Sequence, residues 1–158
     1  CPSMTQATVG RPLPDFKALS TQGEVSPGAL KGRSAILYFY PKDNTPGCTT
    51  EAQDFRDRHQ DFLAANCQVI GVSRDSLKSH ASFTEKQNLP FALVSDDDET
   101  LCQLFNVIKM KNMYGKQVRG IERSTFLVDA SGVLIQEWRG LRVPGHINEV
   151  LQAVRNIA

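Results

Sequence analysis

Residues 34–40, Ser-Ala-Ile-Leu-Tyr-Phe-Tyr, form an almost unbroken apolar run of strand length that stops at Pro41. With no polar alternation, the run predicts a strand buried on both faces. The period then changes. Beyond Pro46, apolar residues recur at helical spacing at Ala52, Phe55, Phe62 and Leu63, predicting one amphipathic helix over residues 45–65. A second buried strand is expected at 67–72, a helix at 76–87, a short strand at 91–94, and a helix at 97–105 begun by acidic residues. Before residue 30, Pro12, Pro14, Gly23, Pro27 and Gly28 leave room only for short extended pieces such as 15–20.

Residues 109–120 contain two glycines and hold no period, which predicts a loop. Residues 124–128 and 133–138 flank Asp129-Ala-Ser-Gly132 as a β-hairpin, and Pro144-Gly145 introduces a terminal helix at 146–156. Strands alternating with helices predict a three-layer α/β domain with a central sheet, to which the late hairpin adds antiparallel strands. No repeat or linker interrupts the pattern, so residues 11–158 read as one domain behind an N-terminal segment, residues 1–10.

Composition narrows the function classes. The chain has 158 residues, 41% hydrophobic and 22% charged, which fits a globular protein and excludes collagen, coiled coil and disorder. A formal charge of +1 supplies no field for nucleic acid or anionic lipid. The longest apolar run, six residues from Ala35 to Tyr40, falls far short of the roughly 20 that span a bilayer. A cytoplasmic monomer, or at most a weak dimer, is the expected setting. Four cysteines with no CxxC pair are too sparse for a disulfide scaffold and weaken zinc and thioredoxin-type readings. Met4 reads as the natural start and residues 1–3 as an added remnant, with a lipidated Cys1 as the alternative. The acids Asp96-Asp-Asp-Glu99 read as dipole-favoured caps rather than as a divalent-metal site, and no metal or other cofactor is expected.

The chemistry concentrates where the first buried strand gives way to a helix, in Tyr40-Pro-Lys-Asp-Asn-Thr-Pro-Gly-Cys-Thr-Thr-Glu-Ala52. Thr45 suits the N-cap and Pro46 the first helical position, which puts Cys48 third. Unpaired amides and the positive end of the helix dipole favour the thiolate there. The bland reading is a small filler at a helix start. Against it stands the conformationally costly Pro46-Gly47 pair, which keeps backbone clear for a small reactant such as a peroxide.

Pro41-x3-Thr45-x2-Cys48, followed by Thr49-Thr50-Glu51, resembles the active-site signature of the peroxiredoxins. The surrounding segments 38–43, 71–76, 93–96, 111–116 and 123–129 resemble the bacterioferritin comigratory protein (PrxQ) subfamily. This resemblance covers the chain from about residue 10 and implies a thioredoxin-like fold with a central mixed sheet flanked by helices. It implies a thiol-dependent peroxidase that reduces hydrogen peroxide and organic hydroperoxides, recycled by thioredoxin, glutaredoxin with glutathione, or another thiol. Carried over by position, Cys48 is the peroxidatic nucleophile, Thr45 the hydroxyl on the peroxide, and Pro41 the residue shielding the pocket. Arg123 stabilises the thiolate and holds the peroxide, and Glu51 orients Arg123. Without that cation, Glu51 would oppose ionisation of the nearby thiol; outside the family pattern, Glu51 reads as a first-turn acid and Arg123 as a surface charge.

Lowering a cysteine's pKa from about 8.5 to about 6 raises its thiolate fraction at neutral pH roughly 30-fold, about 1.5 log units. With a Brønsted slope of about 0.45, the weaker nucleophile gives back roughly 1.1 log units. The net gain is a few-fold, so alignment of the peroxide and stabilisation of the departing oxygen must supply most of the rate.

The product is a sulfenic acid, and turnover needs a second thiol. Many relatives place it five residues after the nucleophile or in the following helix; this chain has Gln53 and Thr84 there. Cys102 and Cys67 are the remaining candidates, and both read more simply as buried, inert cysteines. A one-cysteine cycle resolved by an external thiol follows. Met110, Met113 and Tyr114 read either as a rim for an organic hydroperoxide or as loop packing. His59 reads as a packed helix histidine, His80 and His146 have no partner at a telling spacing, and Trp138 reads as edge-strand packing. A thiol–disulfide exchange protein and a redox sensor on the same fold remain open as alternatives, and a cysteine hydrolase is more distant because no histidine context pairs with Cys48.

Overall fold

A computed structural model describes residues 7–14, 16–26, 28, 32–41, 43, 46–113, 115–140 and 145–157. Its main sheet is built from β1 (Ala18–Ser20), β2 (Gly23–Val25), β3 (Ser34–Phe39), β4 (Cys67–Ser73), β5 (Ala92–Ser95), β8 (Ser124–Val128) and β9 (Leu134–Arg139). The spatial order is β2-β1-β5-β4-β3-β8-β9. Strands β3, β4 and β5 run parallel, while β1 and β8 pair antiparallel to β5 and β3. The sheet is therefore mixed, as expected. All six residues of β3 are buried, and their alternation divides two cores. Ala35, Leu37 and Phe39 enter one; Ile36, Tyr38 and the following Tyr40 enter the other.

The second core is closed by α1 (Pro46–Asp57), α2 (His59–Ala64), α3 (Leu77–Gln87) and α5 (His146–Ile157), through Ala52 and Phe55, Phe62, Phe83, and Val150 with Val154. The first core is closed by α4 (Thr100–Leu104) and the chain after it, through Leu101, Cys102, Phe105 and Val107. Helices thus cover both faces, and helical crossovers join the parallel strands.

Three expectations are corrected. The helix expected over residues 45–65 is two helices, broken at Arg58, whose φ of −104° and ψ of 6° depart from helical values. Hydrogen bonding continues across the break, with Arg58 N–H donating to Asp54 O and Phe62 N–H to Arg58 O, both at 3.2 Å. No glycine or proline marks it for that reason. The helix expected at 97–105 begins only at Thr100, because the buried Asp96 carboxylate accepts from the amides of Leu101 at 2.9 Å and Cys102 at 2.7 Å. The acidic run is thus a cap in front of the helix rather than its first turn. Residues 109–120 are not a loop: β6 (Ile108–Met113) and β7 (Lys116–Ile121) form an antiparallel hairpin whose turn contains Gly115 at φ +79°. This hairpin stands apart from the main sheet, so its strands need no alternating apolar face. At its base, Val107 and Ile121 enter the core and Ile108 packs against it.

Candidate active site

Strand β3 ends at Phe39 and α1 begins at Pro46, so Cys48 occupies the third helical position, as expected. Thr45 lies outside the described residues. Cys48 is buried, 2% exposed. Beside it Gly47 is exposed, and Pro41 is half-buried past the strand end. Two surface hollows of about 370 and 300 Å³ lie elsewhere, one beside His59 and the other beside Leu19 and Leu77.

Arg123 comes from a part of the chain 75 residues away. It belongs to the short link between β7 and β8, and β8 pairs with β3 so that Ser124 lies opposite Phe39. That register delivers Arg123 to the end of β3, where α1 starts. Its Nη2 donates to Cys48 Sγ at 3.2 Å and its Nη1 donates to Glu51 Oε1 at 2.7 Å. Cys48, Glu51 and Arg123 are therefore brought together, as the resemblance implied. Gly47 leaves this approach uncrowded: a Cβ there would lie 3.2 Å from Arg123 Nη2, tighter than ordinary packing.

Glu51 is one helical turn beyond Cys48 and 2% exposed. Burial pushes its carboxyl up to about 7, although the guanidinium pulls it down. Among the described residues, its second oxygen, Oε2, has no hydrogen-bond partner. Burial opposes the charge on Arg123, but Glu51 and then Cys48 outweigh it and lift its pKa above the ordinary value. Beneath the site, Tyr38 stacks on Phe55 with ring centroids 4.6 Å apart. Gly71 leaves room for that ring, since a Cβ would fall 2.8 Å from Tyr38 Cζ.

Cys102 and Cys67 lie apart from this cluster, and Cys1 lies outside the described residues. Cys102 belongs to the core on the opposite face of the sheet from Cys48. Burial first, and then Asp96, raise its pKa far above the ordinary range. Cys67 is on the same face but at the start of β4, opposite Ser34. Five strand steps of about 3.3 Å separate that end of the sheet from Phe39, roughly 17 Å, whereas a disulfide needs Cα atoms within about 7 Å. Burial pushes the Cys67 thiol up to about 12.

Met110, on β6, is 59% exposed; Tyr114 and the side chain of Met113 lie outside the described residues. His59 is half-buried with its ring 6.0 Å from that of Phe91, and burial followed by Arg33 lowers its pKa. His146 shares a 2.9 Å hydrogen bond with Thr125 Oγ1 and stacks edge-on against Trp138. His80 has the partners its sequence context did not show: Asp43, Ser73 and the Val94 carbonyl, 37, 7 and 14 residues away. Asp43, Asp75 and His80 bring ligand-type atoms within 4.8 Å of one another, but all three are engaged in hydrogen bonds within the protein. Their separation along the chain hides this cluster from any spacing rule. Among the described residues, no helix is long and apolar enough to cross a membrane.

The AhpC/TSA family model matches residues 9–137. Peroxiredoxin Bcp of Bacillus subtilis is 48% identical over 151 residues, spanning 95% of this chain and 96% of that protein. Peroxiredoxin Bcp of Xanthomonas campestris is 50% identical over 155 residues, spanning 96% and 97%. Among solved structures, the X. campestris bacterioferritin comigratory protein, studied for alkyl peroxide reduction, matches with a TM-score of 0.88 and 47% identity over 96% of this chain and 98% of that one. A cysteine-to-serine mutant of X. campestris peroxiredoxin Q matches with a TM-score of 0.89 and 48% identity over 98% and 100%. Near-complete coverage at this identity, on the same thioredoxin-like fold, makes the chain a thiol-dependent peroxidase belonging to the peroxiredoxin Bcp/PrxQ family.

Proposed function

We propose that Cys48 reduces hydrogen peroxide and small organic hydroperoxides by direct attack and is recycled by an external thiol. The observation that carries this reading is the 3.2 Å contact between Arg123 Nη2 and Cys48 Sγ at a helix start. The thiolate attacks the terminal peroxide oxygen, the O–O bond breaks, and the electron pair leaves with the alkoxide, which takes a proton to become an alcohol, or water when the substrate is hydrogen peroxide. Sulfur is oxidised to Cys48-SOH and the peroxide is reduced by two electrons. Arg123, held by Glu51, offers positive charge to the peroxide oxygens as negative charge develops on them. Thr45 supplies a hydroxyl to the peroxide, and Pro41 limits water.

The sulfenic acid condenses with an external thiol, releasing water, and a second thiol releases reduced Cys48 as a disulfide forms on the reductant. Three facts favour this one-cysteine cycle. Gln53 and Thr84 occupy the places where many relatives carry a resolving cysteine. Gln53 Nε2 donates to Gln87 Oε1 at 2.8 Å across the α1–α3 contact. Cys102 and Cys67 are buried, raised in pKa and remote from Cys48. Thioredoxin, or glutaredoxin with glutathione, has the chemistry required of the reductant, in a reducing compartment such as the cytoplasm.

The test is mass spectrometry of peroxide-treated protein with a sulfenic-acid trap, beside steady-state peroxide consumption with excess thiol. Adduct at Cys48, lost in Cys48→Ser together with peroxide consumption, is the expected result. An internal Cys48–Cys102 or Cys48–Cys67 bridge would refute the one-cysteine cycle, and peroxide consumption surviving in Cys48→Ser would refute the site.

A further inference from the structure

The connection between β3 and α1, which carries the chain to Cys48, is gripped by a buried polar cluster with no part in the chemistry above. Asp43, 4% exposed, lies three residues before Pro46. Its carboxylate accepts from Tyr40 OH at 2.6 Å, from Ser79 Oγ at 2.9 Å and from His80 Nδ1 at 2.7 Å. Its amide donates to Asp75 Oδ2 at 2.8 Å, and the Ser73 hydroxyl donates to that same oxygen at 2.7 Å. His80 is wholly buried, and its Nε2 lies 2.7 Å from the Val94 carbonyl. A carboxylate and a carbonyl both accept, so each ring nitrogen faces an acceptor. The ring bridges β5, in the sheet, to the connection in front of Cys48.

We propose that His80 is a positioning residue for the peroxide reaction: through its Nδ1 bond to Asp43 it ties the connection to α3 and so holds the first turn of α1, and with it the sulfur, in register with Arg123. The inference rests on the reading of Cys48 as the peroxide-reducing sulfur. The first turn of α1 is then held from two sides, by Arg123 arriving from the β7–β8 link and by Asp43 anchored to α3. Gly47 is exposed and has no side chain with which to anchor the turn. Moving Asp43 would strand buried donors on Tyr40 and His80 and a half-buried one on Ser79, and that cost is what fixes the connection.

Two amide isosteres separate the links. Asparagine places its amide nitrogen near Nδ1 and keeps the bond to Asp43; glutamine places it near Nε2 and keeps only the bond to Val94. His80→Gln is expected to slow hydrogen peroxide oxidation of Cys48 at least about tenfold, since displacement by about 1 Å costs up to 100-fold. The same variant should speed amide exchange at residues 47–50 by at least about tenfold, while His80→Asn stays within about threefold on both readouts. Equal losses in the two variants, or exchange rising uniformly across the molecule, would overturn the proposal. If His80→Gln does not fold, Tyr40→Phe decides: removing one hydroxyl from Asp43 should slow oxidation about three- to tenfold and speed the same exchange, and native values in both overturn it. Failure of the unaltered protein to consume peroxide would sink the peroxidase reading alone, because the exchange comparison still decides whether His80 holds the turn.

Discussion

Replacing Glu51 by glutamine should make the protein more stable and the enzyme slower. In the unfolded chain this carboxyl ionises near its ordinary value of 4.5, while in the fold burial moves it to about 7. Between those values the folded state holds a proton that the unfolded state has released. Raising the pH across the interval therefore favours unfolding. The gap of about 2.5 pH units corresponds to about 3 kcal/mol, fully present as stabilisation below about pH 4.5 and lost as the pH passes 7. Glutamine has nothing to ionise and escapes the loss. At pH 8 Glu51→Gln should unfold roughly 6–12 °C higher than the unaltered chain, with the difference shrinking toward zero near pH 4.5.

Catalysis should move the other way. Glu51 Oε1 holds Arg123 at 2.7 Å while Arg123 holds the sulfur at 3.2 Å. A glutamine oxygen can still accept from Nη1, but the bond loses its charge assistance, worth about 1 kcal/mol and so about fivefold in kcat/KM. Thermal unfolding at pH 4.5, 6 and 8, beside peroxide kinetics at pH 8, measures both effects. A Glu51→Gln protein less stable than the original at pH 8, or a difference constant across pH, would refute the reasoning: Arg123 would then compensate the buried carboxylate in full.

Arg123→Ala should cost about 100- to 1,000-fold in kcat/KM, whereas the change in Cys48 thiolate titration, followed by ultraviolet absorbance, should explain only a few-fold; matched losses count against a role on the peroxide. Gly47→Ala should gain about 0.5–1 kcal/mol from helix propensity and lose about three- to tenfold in peroxide oxidation as its Cβ crowds Arg123 Nη2; an unchanged oxidation rate would show that the guanidinium has slack. Cys102→Ala and Cys67→Ala should keep the original turnover with an external thiol, checked by coupled peroxide consumption; a fall in turnover with a large reductant but not with a small thiol would assign one of them a part in resolution.

Hydrophobic period made the central strand and the α/β alternation legible, because β3 is buried on both faces and its helices each present one apolar side. Helix-start chemistry likewise placed Cys48 at the third position of α1 from sequence alone. Features held by tertiary partners were not legible. The β6–β7 hairpin pairs only with itself, so nothing forces its residues to alternate. Arg123 reaches Cys48 through the β3–β8 register, a pairing between segments more than 80 residues apart that only family resemblance could supply. His80 carries no signal within its own helix because Asp43 and Val94 meet it in space rather than at a helical interval.

The burial of Cys48 sets two halves of the cycle against each other. A hydroperoxide is small enough to reach a sulfur 2% exposed beside Gly47. A protein reductant must bring its own sulfur into line with Cys48-SOH, and a closed first turn excludes it. Oxidation therefore needs the turn held, by Arg123 and by the Asp43 connection, while reduction needs it released. The opposition predicts that urea well below the unfolding transition slows single-turnover oxidation and speeds reduction of the isolated sulfenic acid by thioredoxin, because it favours local opening over the closed turn. Reduction by a small thiol such as dithiothreitol should respond less, since a smaller opening suffices. Equal urea dependence for the two reductants, or none, would mean that the sulfenic acid meets thioredoxin without the helix moving, and the closed geometry would then have to admit a protein surface that its 2% exposure excludes.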